Sequence, residues 1–80
     1  MANVQVLINR EALRAIRVKD GQSMAQLARG AGISRQYLND IEKGRRGASP
    51  DVRRRLAAAL NVPTSAVEAQ VISAVEGSAA

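Results

Sequence analysis

Five polar or charged side chains in the middle of the sequence have the types and spacing needed for directional hydrogen bonding. They are Arg35, Gln36, Asn39, Asp40 and Lys43. Their offsets of i, i+1, i+4, i+5 and i+8 place them on one face of an α-helix. Arginine can donate to guanine O6 and N7, glutamine can pair with adenine N6 and N7, and an aspartate carboxylate can only accept, which suits cytosine N4. The pattern is typical of a helix that enters a groove of double-stranded DNA.

The surrounding residues predict two short helices joined by a tight turn. Ser23 is the predicted N-cap of the first helix, and Gly30 and Gly32 interrupt that helix because glycine permits the positive φ of a turn. Ser34 caps the second helix, which ends near Gly44. The apolar faces of this unit comprise Met24, Leu27, Ala28, Ile33, Leu38 and Ile41. This arrangement is that of a helix-turn-helix.

The composition limits the functions open to the chain. Its 80 residues suffice for one small domain, predicted over 1–80 with a flexible tail at 76–80. Cysteine and histidine are absent, which excludes disulfides and zinc fingers and removes the commonest general base. Asp40 and Glu42 lie two positions apart, so they diverge on a helix and cannot form a catalytic pair. We therefore predict no enzyme activity, no metal and no cofactor.

The net charge of +5 and the pI of about 11.1 favour nucleic acid or an acidic surface as the partner. No apolar run approaches the roughly 18–20 residues that span a membrane, and no signal peptide is recognisable. We expect a cytoplasmic, nucleoid-associated protein of a bacterial or phage-infected cell.

The flanking segments predict further elements. Residues 4–8 form either a short strand or an apolar arm, and as a strand they would pair with a second copy or with another extended segment. Asn9 caps a helix over 10–19 with Ala12, Leu13, Ile16 and Val18 on its inner face.

Ser49 and Pro50 begin a fourth helix that ends near Leu60. Its arginines 53–55 are expected in solvent rather than on DNA. A fifth helix is predicted over 65–75, where Val67, Val71 and Val75 form a stripe that closes the core or contacts a second copy. The predicted fold is an all-α bundle of about five helices, to which residues 1–8 add an arm or a short β-strand.

The stretch from Leu13 to Val62 resembles the Cro/XRE-type, lambda-repressor-like helix-turn-helix family. The resemblance rests on Leu13, Arg17, Gly21, Leu27-Ala28, Gly32-Ile33-Ser34, Tyr37-Leu38, Ile41-Glu42, Gly44, Ser49-Pro50, Leu56-Ala57, Leu60 and Val62. It implies a compact bundle that binds DNA, usually as a dimer, and often acts as a repressor.

The resemblance also implies roles for single residues. Arg17 and Glu42 match a buried ion pair that ties the first helix to the recognition helix. The positions that match base-reading residues are Arg35, Gln36 and Asp40, with Asn39 nearby. The positions that match phosphate contacts are Ser34, Tyr37 and the Ser23-Met24 start of the second helix.

Three basic residues follow the recognition helix directly. Lys43, Arg45 and Arg46 stand where the chain returns to the sugar-phosphate backbone, so we expect them to bind phosphate. The alternative is an exposed loop that is basic by chance.

These observations predict a sequence-specific double-stranded DNA-binding transcriptional regulator. Its simplest form is a small phage or mobile-element repressor, or Cro-like protein, that binds a (pseudo)palindromic operator as a homodimer through the fifth helix or the N-terminal strand. The alternatives are a restriction-modification controller, an antitoxin-type autorepressor, or a protein-interaction module such as an antirepressor.

Overall fold

The computed structural model describes the backbone of residues 2–74 and the side chains of residues 4–71. Within this part, the chain forms four α-helices, and its two ends pair as an antiparallel sheet. The elements are β1 (Ala2–Ile8), α1 (Arg10–Lys19), α2 (Met24–Ala31), α3 (Arg35–Glu42), α4 (Pro50–Ala59), a 3₁₀ turn (Thr64–Val67) and β2 (Glu68–Ala74). The helical bundle and the N-terminal strand are therefore confirmed.

Each of the four helices begins at a side-chain cap that the sequence predicts. Asn9, Ser23, Ser34 and Ser49 each accept a hydrogen bond of 3.0–3.2 Å from the backbone N–H three residues further on. Such caps satisfy donors that have no partner inside the helix. They fix where each helix starts and so where its apolar stripe faces.

The core lies where the four helices and the 3₁₀ turn meet. Its fully buried large side chains are Leu13, Leu27, Leu38, Ile41, Leu56 and Val67. Val18, expected on the inner face of α1, is 59% exposed, so that part of the prediction is wrong. The tail predicted over 76–80, and Val75, lie outside the described residues.

The predicted fifth helix is wrong, and it is the main error in the fold predicted from the sequence. Residues 64–67 form a 3₁₀ turn, and Glu68–Ala74 is the strand β2 instead of a helix. Val71 and Ile72 are β-branched and suit a strand as well as a helix. Pairing with β1 decides between the two, because an unpaired β1 would leave its backbone groups without partners.

The two strands form a two-stranded ribbon, by which we mean residues 2–8 and 68–74. Ala2 is paired with Ala74 and Ile8 with Glu68, so β1 pairs with an extended segment of its own chain. The strands contact chiefly each other rather than the helices. The backbone N–H of Asn9 donates to Val67 O at 2.8 Å, which joins the ribbon to the bundle.

Arg53 is buried, which corrects its expected place in solvent. Its Nε donates to the Glu68 carboxylate at 2.7 Å and its Nη1 to Ala48 O at 2.8 Å. The pair ties α4 to the start of β2, and its formation depends on the strand that the sequence did not predict. Arg54 and Arg55 are exposed as expected, each beside Asp51.

Candidate nucleic-acid interface

The turn that joins α2 to α3 has a backbone conformation that few residue types other than glycine adopt. Gly32 ends α2 with a φ of +70°, in the left-handed region that favours glycine. At the start of α2, Ser23 and Gln26 cap each other reciprocally through their side chains and backbones. The turn and the caps set the angle at which α3 leaves α2, as a helix-turn-helix requires.

One side of α3 is fixed in the core. Leu38 and Ile41 have no exposed surface, and they pack with Leu13 and Leu27 from the two preceding helices. Three-residue spacing places both on the inner face of α3. The opposite face, with Arg35 and the residues around it, must therefore point away from the bundle.

An ion pair anchors the end of α3 to α1. Arg17 donates from Nε and Nη2 to the two Glu42 carboxylate oxygens at 2.7 and 3.0 Å, and from Nη1 to Gln22 O at 2.9 Å. The Glu42 side chain is 3% exposed. The hydrogen bonds that Arg17 donates to Glu42 raise the pKa of Arg17, so the cation persists across the physiological pH range. The ion pair implied by the family resemblance is confirmed.

The structure brings the four predicted base-reading residues together on the outer face of α3. Arg35 and Gln36 are exposed, and Asn39 and Asp40 are half-buried. Gln36 Nε2 donates to Asp40 Oδ1 at 3.1 Å, and Arg45 Nη1 lies 3.8 Å from the same oxygen. The Asp40 carboxylate thus orients Gln36 and lies beside Arg45.

The starts of α2 and α3 border the same concave surface. Met24, Arg35, Gln36 and Asn39 line it. The hydroxyl oxygens of the two N-cap serines accept the cap hydrogen bonds, and each hydroxyl still has its own O–H to donate. Contacts from these helix starts to an anion can therefore use the serine O–H as well as first-turn N–H groups and the positive end of the dipole.

The basic loop after α3 folds back onto the helix. The backbone N–H groups of Arg45 and Arg46 donate to Asp40 O at 2.8 and 3.3 Å. The Arg46 guanidinium lies 4.7 Å from the centre of the Tyr37 ring, and the Tyr37 hydroxyl donates to Gly47 O at 3.4 Å. Lys43 and both arginines are exposed. The loop therefore has a defined path that holds basic side chains beside the polar face of α3.

Arg10 is a basic residue that the sequence analysis did not associate with this surface. It begins α1, yet its guanidinium lies against Gly44, at the end of α3. Thirty-four positions separate the two residues, and no local pattern indicates that they meet.

Residues 2–74 offer neither a metal site nor a membrane-spanning helix. This part of the chain contains no group of three or more Asp or Glu side chains arranged to hold a metal ion. None of its four helices is long and apolar enough to cross a membrane.

Comparisons with known proteins identify the type of domain. A family profile described as helix-turn-helix matches residues 13–67, which is more than half of the chain. The matched region begins within α1 and includes all of α2, α3 and α4. A search of curated proteins gave no significant match.

Several solved structures are similar to this chain. The restriction-modification controller protein C.AhdI from Aeromonas hydrophila matches with a TM-score of 0.70 and 32% identity, over 71% of this chain and 86% of its own. The hypothetical transcription factor NHTF from Neisseria matches with a TM-score of 0.68 and 32% identity, over 71% of this chain. The clp gene regulator ClgR from Corynebacterium glutamicum matches with a TM-score of 0.68 and 28% identity, over 70% of this chain. The match spans 66% of the Neisseria chain and 60% of ClgR, less than two thirds of each.

Proposed function

The chain belongs to the Cro/XRE-type family of helix-turn-helix DNA-binding transcription regulators, and we propose that it is a sequence-specific regulator that binds a (pseudo)palindromic operator as a dimer. Within this proposal it is a small repressor or Cro-like protein of a phage or other mobile element, and it acts in the cytoplasm on nucleoid DNA. The proposal rests chiefly on how α3 is held against the bundle. Its inner face and its end are fixed, whereas Arg35 and Gln36 extend into solvent.

Base recognition is proposed to come from the outer face of α3. Arg35 can form two hydrogen bonds with a guanine. One amide hydrogen of Gln36 is used by Asp40, so its second hydrogen and its oxygen remain for adenine N7 and N6. Asp40 would then orient Gln36, accept a hydrogen bond from cytosine N4, or repel unsuitable sites. Asn39 lies beside it on α3 and is part of the same proposed base-reading set. Each bidentate pair contributes about 1–3 kcal/mol of discrimination.

Phosphate contacts are proposed to hold α3 in register on the duplex. The exposed side chains of Lys43, Arg45 and Arg46 flank the reading face and carry no base code in this proposal. Ser34 and Tyr37, with the Ser23-Met24 start of α2, complete the proposed set of phosphate contacts. These contacts set affinity and its dependence on salt rather than sequence preference.

The ribbon is the proposed dimer contact. The fifth helix, the other predicted contact, does not form, because its residues belong to β2. Val4 and Val6 occupy one face of the ribbon and Leu7 and Val71 the other, and all four are exposed. A two-stranded sheet is marginally stable alone, so coverage by another surface would stabilise it.

Charge favours a second copy of the chain as the partner of the ribbon. Strand β1 carries no charged side chain, and the only charge in β2 is Glu68, which Arg53 neutralises. Two copies with a net charge of +5 repel each other, so an uncharged surface is where they can approach most closely. A two-fold contact would place two α3 helices about 34 Å apart, one turn of DNA.

A restriction-modification controller is a second candidate. Its support is the similarity to C.AhdI, which covers 86% of that controller protein at 32% identity. The two candidates share the proposed DNA chemistry and differ in the genes beside the operator.

Selection of bound duplexes from a random DNA pool, repeated at two salt concentrations, tests the proposal. A two-fold symmetric motif is expected, and Arg35→Ala should relax the preference at one base in each half-site. Salt-sensitive binding without a motif would contradict sequence-specific regulation. Absence of binding at low salt would contradict DNA binding and favour a protein partner.

A further inference from the structure

Arg10 and Gly44 form an unusually close contact between α1 and the end of α3. A Cβ added at Gly44 would lie 2.8 Å from Arg10 Nη1 and 2.9 Å from Cζ, a separation that real Cβ atoms do not adopt. Gly44 also has a φ of +78°. The glycine therefore turns the chain and leaves space for the Arg10 guanidinium to lie flat against the backbone.

This contact places Arg10 in the same concave surface as the basic loop. Arg10, Arg45 and Arg46 share the surface with Leu7, Ile8 and Gly47. Arg45 and Arg46 enter it from the loop, and Arg10 enters from the first turn of α1. The Arg10 guanidinium, which lies against Gly44, thus borders the same depression as two arginines of the loop that is distant in sequence.

The charges of this cluster are poorly balanced within the described part of the chain. No carboxylate there lies within 4 Å of the Arg10 or Arg46 guanidinium, and Arg45 has only a 3.8 Å contact with Asp40 while 64% exposed. Neighbouring like charges raise each other's free energy. An anion bound beside these arginines would offset that repulsion and accept charge-assisted hydrogen bonds.

We propose that this depression binds a phosphodiester group of DNA, with Arg10 as an additional phosphate ligand. The inference rests on the proposed function, since the depression adjoins the loop that follows the reading helix. A phosphodiester fits because its oxygens accept from guanidinium forks, while Ile8 offers apolar contact to a deoxyribose. Arg10 would thereby hold α1 as well as α3 on the DNA backbone.

The test measures the affinity of wild-type protein, Arg10→Gln, Arg10→Lys and the control Arg54→Gln for one selected duplex between 50 and 200 mM salt. Arg54 is an exposed arginine on α4, beside Asp51. Loss of one phosphate contact reduces the slope of log K against log salt by about 0.9. When salt rises fourfold over this range, the affinity of Arg10→Gln should fall by a factor about three times smaller than the factor by which the wild-type affinity falls.

Each outcome separates this inference from the proposed function. A reduced slope for Arg10→Gln, with a wild-type slope for Arg54→Gln and Arg10→Lys, supports the phosphate contact. A wild-type slope for Arg10→Gln, or an equal reduction in Arg54→Gln, overturns it and leaves the proposed function standing. If wild-type protein binds no duplex, the proposed function fails and the inference fails with it.

Discussion

The contact between Arg17 and Glu42 controls the position of α3 at the scale of single residues. Both side chains are largely buried, and Arg17 donates two hydrogen bonds to the Glu42 carboxylate. Removing one partner leaves the other charge buried without compensation, which costs about 3–5 kcal/mol. For a small domain with about 5–15 kcal/mol of total stability, this is a large share.

Arg17→Met is therefore expected to lower the melting temperature by more than 10 °C, because 1 kcal/mol corresponds to about 4–8 °C in a domain of this size. Thermal unfolding followed by circular dichroism measures the change. Arg14→Met serves as the control, since Arg14 is exposed on the same helix, and should shift the transition by no more than a few degrees.

Combining Arg17→Met with Glu42→Met should restore part of the lost stability, because the double variant leaves no unpaired charge. A single Arg17→Met variant that melts like the wild type would show that the pair does not hold α3 in place.

Single residues also mark where prediction from sequence succeeds and where it stops. The cap residues and the Arg17–Glu42 pair could be predicted, the caps from local spacing and the pair from the family pattern. Arg53 and Arg10 could not, because their partners Glu68 and Gly44 are distant in sequence. A run of arginines has the same local pattern whether a member is solvated or buried beside a carboxylate.

The basic loop after α3 is the element that we propose to contact the DNA backbone. Its path is fixed by the Asp40 carbonyl, by the positive φ of Gly44 and by the contact of Arg46 with Tyr37. A loop held in this way loses little conformational freedom on binding, so its charges can act without a large entropic cost.

Arg45→Ala combined with Arg46→Ala should weaken binding to every duplex and reduce the salt slope by about two, with base preference retained. Affinity measured over a salt series for the selected duplex and for a scrambled duplex gives both quantities. The matched control is Arg54→Ala with Arg55→Ala, another adjacent exposed pair, which should keep the wild-type slope. A preserved slope in the loop variant would rule out these phosphate contacts.

Elements differ in how far local pattern determines them. The four helices have side-chain caps and periodic apolar stripes, so their bounds follow closely from sequence. The segment that becomes β2 has apolar spacing that also fits a helix, and pairing with β1 makes it a strand. The sequence analysis considered another extended segment as a possible partner of β1. Local periodicity could not show that residues 68–74 form that segment.

In the proposed dimer, the ribbon and the two copies of α3 together determine how the whole molecule would approach an operator. One α3 offers few base contacts, so high specificity depends on two copies with a fixed separation. The ribbon is uncharged apart from the neutralised Glu68 and exposes apolar side chains on both faces.

Val4→Lys combined with Val71→Lys should prevent dimer formation, because the two lysines place charge on both faces of the ribbon. Sedimentation should show monomers at concentrations where the wild type is dimeric, and binding to a two-fold site should fall to the affinity of a half-site. Val18→Lys is the control, because Val18 is 59% exposed on α1, away from the ribbon. A double variant that remains dimeric, or wild-type protein that is monomeric with and without DNA, would contradict this contact.

The most direct test of the central claim, that the outer face of α3 reads base edges, changes one acceptor in the DNA. In the selected operator, the guanine assigned to Arg35 is replaced by 7-deazaguanine, which has a C–H in place of the N7 acceptor. Wild-type protein should lose about tenfold or more in affinity, since a hydrogen bond from a charged donor contributes about 1.5–3 kcal/mol, whereas Arg35→Ala should bind both duplexes equally. An equal loss in both proteins, or no loss in the wild type, would contradict the account.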